Sequence, residues 1–269
     1  MQKEFSNPLK MKEIANLVLD SFSKSQSTVK GSFANKHLNK EGDFDPIISL
    51  IEYPQYHLLI SADAIKHIAS SMINHRNSTT KEPLPLFAFY VLARTVIESC
   101  AIVSWLLKFE NEEGARQKAI QIMNRNFSSV QKYFEFRLLL EPSHINSVDR
   151  TELDVLKSKT QAYAEIHNLK YERIPEFLTR DGKAGILAEI ANPALELLYI
   201  QLSSVVHANS WSFSLNAKKT HIEGDIDDIS KTVQYGFDEN LLDQVLSMAT
   251  LMLFNSYAEY RQLFDKRMD

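Results

Sequence analysis

LPLFAFYVLARTVIESCAIVSWLLKF, residues 84–109, decides how this chain is read. It is an almost unbroken apolar run, and only Arg94 and Glu98 interrupt its middle. On a 3.6-residue period two positions four apart point about 40° from one another, so both charges share one face. A charge taken out of water is tolerated when it is paired and hydrogen-bonded. The pair therefore marks either a polar core or a site. The run is long enough to cross a bilayer, but each charge would then sit near the midplane at a cost of about 2.5–3.5 kcal/mol. The expectation is a buried core helix, with no membrane partner.

Composition agrees with long helices. Seven glycines and eight prolines in 269 residues disfavour a turn-rich β architecture. Apolar residues make up 44% and charged ones 24%, enough for a substantial core. The net charge of −4 advertises no general affinity for nucleic acid, although a local basic patch can sit within an acidic whole. Cys100 is the single cysteine, so no disulfide can form within the chain. That reads as a buried small hydrophobe in a reducing, cytoplasmic compartment. The first twenty residues carry charges early and lack an apolar h-region, so no secretory signal is expected.

Working outward, Leu9, Ile14, Leu17, Val18 and Phe22 predict an amphipathic helix from 8 to about 30, followed by a polar connector from 30 to 45. Residues 46–76 continue as helix, bent or broken at Pro54. A loop over 77–85 precedes the central helix. Beyond it, Ile120, Met123, Phe127, Val130, Phe134 and Leu138 trace one stripe of a helix that opens at Glu112 and stops before Pro142. Helices are expected over 147–170, 184–191 and 193–209, then a loop or small β-hairpin within 211–237. A last helix has Asp238 as N-cap and an apolar face from Leu241 to Leu263. The reading is one all-α domain over 1–269, a bundle of about seven to nine helices.

Two polar stripes carry chemistry. Tyr90, Arg94, Glu98, Ala101 and Trp105 project in one direction from the central helix. Glu196, Tyr199, Ser203, His207 and Ser210 share a face of the 193–209 helix. If the stripes meet, His207 could move protons near neutral pH and Arg94 could clamp an anion with its guanidinium fork. Glu98 would fix Arg94. If they do not meet, the second stripe is the solvated side of an amphipathic helix and Arg94–Glu98 is a structural ion pair. The chain has no Gly-rich phosphate loop, HExxH or CxxC, and its eight histidines lack metal-ligand spacing.

LARTVIESCAIVSWLL (92–107) and YIQLSSVVHAN (199–209) resemble a group of uncharacterised bacterial all-helical proteins. Those proteins pair R-x-x-x-E followed by W-L-L with a later Y-x-x-L-S-x-x-x-H segment. The matching residues are Arg94, Glu98, Trp105, Leu106 and Leu107, then Tyr199, Leu202, Ser203 and His207; Pro175 and Thr179 also suit the pattern. The resemblance covers about 90–210, within a core over 84–210. That group is similar to the HEPN superfamily of helical-bundle nucleases and nucleotide-binding proteins of toxin–antitoxin and phage-defence systems. HEPN ribonucleases carry R-x(4–6)-H on one helix and pair two copies across a dimer interface. Here that spacing before His207 falls on Ile200, Gln201 and Leu202. Arg137 and His144 fit it, but Glu141–Pro142 would break the helix between them.

The resemblance implies a bacterial defence or stress protein, a homodimer, that binds or cleaves RNA or nucleotides. His207 would be the general acid/base, Arg94 the phosphate clamp and Glu98 its orienting carboxylate, with Tyr199, Ser203 and Trp105 positioning the substrate. No metal or cofactor is expected, because an imidazole and a guanidinium could manage proton and charge. The alternative is a non-enzymatic interaction module, such as an antitoxin, regulator or assembly subunit, in which Arg94–Glu98 locks helix packing against a protein-binding surface elsewhere.

Overall fold

The apolar run becomes the central helix of an all-α bundle. The computed structural model describes residues 2–23, 30, 32–38, 44–79, 84–140, 147–181, 183–190, 193–206, 217–220, 234–237 and 239–265. In chain order these form α1 (Gln2–Phe5), α2 (Pro8–Ser23), α3 (Phe33–Leu38), α4 (Ser49–Asn77), α5 (Leu86–Leu107), α6 (Glu112–Leu140), α7 (Ser147–Ile166), α8 (Ile186–Ile190) and α9 (Pro193–Val206). Strands β1 (Ala217–Thr220) and β2 (Gln234–Phe237) pair antiparallel within the span expected to hold a hairpin, and α10 (Glu239–Asp265) follows. Among the described residues seven helices have fourteen residues or more, in keeping with the expected bundle.

Helix α5 packs against α4, α10, α9 and α8, while α2 lies along the far side of α4. Its Phe89, Tyr90, Val96, Ile97, Cys100, Val103 and Leu106 are fully buried or nearly so. Burial of a side chain of this size contributes about 1.5–3 kcal/mol, so the four contacting helices are held mainly by this one sequence run. Among the described residues Phe87–Leu107 is the one helix long and apolar enough to cross a membrane, and 56% of its apolar window is buried against the other helices.

Four local expectations are corrected. The buried stripe of α2 is Pro8, Met11, Ile14, Ala15 and Val18, while Leu9 and Leu17 face outward. The expected polar connector holds α3. Ser32 caps it by accepting from the Asn35 N–H at 3.2 Å, and Phe33, Ala34 and His37 turn inward. Pro54 does not break α4, which runs on through it. Proline there is the sixth residue, so one ladder bond is lost near an end whose donors already lack partners. On α6, Val130 is exposed, and Ala115, Ala119 and Ile122 join Ile120 in the core instead. Asp238, His144 and His207 lie outside the described residues.

Between α7 and α8 the chain makes an ordered excursion that matters for the site. Asn168 terminates α7 in the left-handed region (φ 53°), and the Leu169 N–H returns to the Ala164 carbonyl at 2.8 Å. Gln117 of α6 then clamps Lys170 with both amide atoms, at 2.9 and 3.0 Å. The first amides of α8 are satisfied by the same excursion, Ile186 donating to the Glu176 carbonyl and Leu187 to that of Phe177. Gly185 is obligatory here, because a Cβ would stand 2.3 Å from the Leu178 carbonyl carbon.

Candidate functional site

Arg94 and Glu98 lie on one face of α5, and the partner that fixes them comes from α9. Arg94 donates to Glu98 Oε1 at 3.1 Å and, through Nε and Nη2, to the Tyr199 hydroxyl at 3.2 and 3.0 Å. That hydroxyl donates in turn to the same Glu98 oxygen. One proton and two lone pairs are all used, so the phenol is fully satisfied. Tyr199 is 5% exposed, which corrects the solvated-stripe reading of α9 at that position; among the described residues of this helix Leu197 and Ile200 are exposed. Phe177 meets the Tyr199 ring edge-on at 4.8 Å and holds it against the guanidinium.

Burial pushes the Tyr199 phenol up to about 12, helped by Glu98 and opposed by Arg94. For Arg94, burial works against the charge, but the Tyr199 hydrogen bond and the Glu98 carboxylate outweigh it and raise the guanidinium above its ordinary value. The phenol stays protonated and the guanidinium charged throughout the physiological range. The pair is not sealed: the Arg94 and Glu98 side chains keep 20% and 36% of their exposure.

Glu98 and Tyr199, without Arg94, line a cavity of about 320 Å³ together with Ile102, Arg125, Arg173 and Phe177, among others. Glu176 contributes a second carboxylate to the wall. Among the described residues no carboxylate lies within ion-pairing distance of Arg125 or Arg173. With Arg94 neutralising Glu98, the wall carries a surplus positive charge. Arg125 reaches it from the middle of α6, and Arg173 from the excursion before α8.

A second polar contact borders this region. Ser99, one position beyond Glu98, faces α4, where its hydroxyl meets His57 Nδ1 at 3.1 Å. Burial and then the charge of Arg125 lower His57 to about 4, so the imidazole is neutral at pH 7. The Tyr53 ring packs against it at a tilt of 45°, with 4.3 Å between centroids. Ser99 is only 6% exposed, which denies it a nucleophile's access to substrate.

The structure thus brings Arg94, Glu98 and Tyr199 together. Ser203 sits one turn further along α9, half-buried. Trp105 faces elsewhere: it is 2% exposed, and its indole N–H donates to Glu189 Oε2 at 2.8 Å beside a different cavity. Thr179 and Glu196 meet each other, the threonine hydroxyl donating at 3.1 Å, and so pin the excursion to α9. Arg125, Arg173, Phe177, His57 and Ser99 escaped sequence reasoning. The arginines sit in polar stretches that look like ordinary solvated surface, and only the backbone path makes them converge. Among the described residues no three His, Cys, Asp or Glu side chains converge as a metal-ligand set.

No family model, curated protein or solved structure matches this chain.

Proposed function

We propose that this chain is a HEPN-like helical protein that binds RNA or nucleotides at the cavity beside Tyr199. The observation that carries the reading is the convergence of Arg125 and Arg173, neither paired with a described carboxylate, on a cavity where Arg94 neutralises Glu98 and leaves Glu176 as the remaining acid. Guanidinium groups suit phosphate by geometry as well as charge, and Phe177 with Tyr199 supplies an aromatic wall for a base. In the ribonuclease form of this proposal His207 is the general acid/base, Arg94 holds the phosphate and Glu98 orients Arg94. The homodimer and the defence-system setting belong to the same proposal.

The test is binding of a fluorescently labelled single-stranded RNA and of ATP by anisotropy, for wild type, Arg125→Gln and Arg173→Gln. Each substitution should weaken binding about tenfold, as expected for loss of one charged hydrogen bond of about 1.5 kcal/mol. No binding of either ligand by the wild type at millimolar concentration sinks the proposal. RNA cleavage lost in His207→Ala with binding retained would assign the chemistry.

A second reading has its own support. Glu98 is engaged by both Arg94 and Tyr199, so the trio already serves as a lock between α5 and α9. That favours a non-enzymatic interaction module, in which His207→Ala changes nothing and the arginines bind an acidic protein surface.

A further inference from the structure

The C-terminal end of α5 carries a separate constellation. Trp105 is seven residues beyond Glu98, about 10 Å along the helix axis, and borders a cavity of about 610 Å³. The volume falls within the ordinary range for small-molecule sites. Its wall includes Trp105, Phe109, Lys108, Lys118 and Glu189. The Lys118 amine sits 3.1 Å from the centre of the Trp105 ring. Among the described residues no carboxylate approaches that amine within ion-pairing distance. Glu189 is turned to the indole instead: its Oε2 accepts from Trp105 at 2.8 Å, and its backbone carbonyl accepts from Lys108 Nζ at 3.1 Å.

We propose that Lys118 is the reactive amine of a second site, one that captures a small aldehyde or ketone carrying a negative charge and condenses with it to an imine. The Nζ lone pair attacks the carbonyl carbon, and the C=O π pair takes up a proton. The resulting carbinolamine then loses its oxygen as water and leaves a C=N bond to Nζ. Amine and carbonyl become imine and water, with no oxidant or reductant required. Phe109 gives the carbonyl compound an apolar seat, and the buried Trp105 indole backs the amine. Lys108, on the same wall, meets its anionic group. Glu189 Oε1, which the indole bond leaves over, lines the same cavity and would relay the proton through an intervening water.

The balance of protonation supports this geometry. Burial is the largest influence on Lys118 and Lys108 adds to it, while Glu189 opposes; the amine falls to about 8. The ring face also favours the ammonium, so the indole moderates the effect rather than causing it. At pH 7 about one amine in ten is then neutral, against about one in three thousand for an ordinary lysine. Desolvation of this kind is the established way to make a lysine nucleophilic.

The experiment incubates the full chain with pyridoxal 5′-phosphate as an anionic aldehyde probe, reduces with borohydride, and maps the modified lysines by mass spectrometry. Lys118 should be labelled at least tenfold more than the median lysine, and Lys118→Arg should lose that signal alone. Benzaldehyde, a neutral probe, should label Lys118 at least fivefold less. Labelling spread evenly over the lysines overturns the proposal, and this wild-type result stands whether or not the variant folds. Equal capture of both aldehydes overturns the selection by charge assigned to Lys108.

Discussion

The Tyr199 hydroxyl of α9 donates to Glu98 of α5, closing a contact between residues 101 positions apart. Arg94 completes the triangle from one turn earlier on α5. A local i,i+4 pair of this order is weak by itself, and it is the phenol from another helix that makes it specific.

Tyr199→Phe keeps the ring against Phe177 but removes the hydroxyl that accepts twice and donates once. Arg94 and Glu98 retain each other and some solvent, so the loss should be about 2 kcal/mol rather than that of an abandoned buried charge. Thermal unfolding should show the midpoint lowered by about 5 °C. An unchanged midpoint would mean that the trio does not lock α5 to α9.

His57 predicts an acid-sensitive contact between α4 and α5. Its folded value of about 4 lies below the ordinary 6.5 because burial and Arg125 oppose the charged ring. The stability tied to the neutral ring is therefore complete above about pH 6.5 and lost as pH falls toward 4. Urea denaturation at pH 7.5, 5.5 and 4.5 should show a decline that His57→Gln reduces by on the order of 2 kcal/mol. Identical profiles for both proteins would remove His57 as the cause.

Gly185→Ala should damage the excursion rather than the bundle. The new methyl would press on the Leu178 backbone, which cannot step aside as a side-chain tip can. The cost should be about 1–3 kcal/mol, with protease cleavage between 171 and 185 accelerated and far-ultraviolet helicity retained.

Cys100 should be inert in the folded protein. It is fully buried, and burial pushes its thiol up to about 12, with the nearby Ser61 and Ser256 hydroxyls acting in the opposite direction. Alkylation by iodoacetamide at pH 8 should run about a thousandfold slower than for a free thiol, and reach the free rate in denaturant. Rapid labelling without denaturant would place Cys100 at the surface.

If the cavity arginines bind RNA phosphate, they should also show it in salt. Each of Arg125→Gln and Arg173→Gln should lower the slope of log K against log salt by about 0.7 for a single strand. A weakened affinity with an unchanged slope would place the lost contact on a base or on another helix.

The all-α class and the central place of residues 84–109 follow from the chain alone, because a long apolar period of 3.6 has few ways to be buried. The pairing of Arg94 with Glu98 follows too, since both residues sit on one rigid helix. Periodicity was less reliable where small residues carried the contact. Ala15 and Met11 are buried while Leu9 and Leu17 are exposed, because packing rewards a fitting shape as well as greasiness. Only the tertiary structure decided that Tyr199 is the partner of the pair, and that Trp105, in line with it on the sequence, serves another cavity. Only it brought Arg125 and Arg173 to one wall and set Lys118 on an indole face. Those juxtapositions depend on how helices are offset along one another and on the path of the 167–185 excursion. Neither quantity is encoded in the spacing of residues along any single helix, and both are fixed by contacts between residues far apart in the chain.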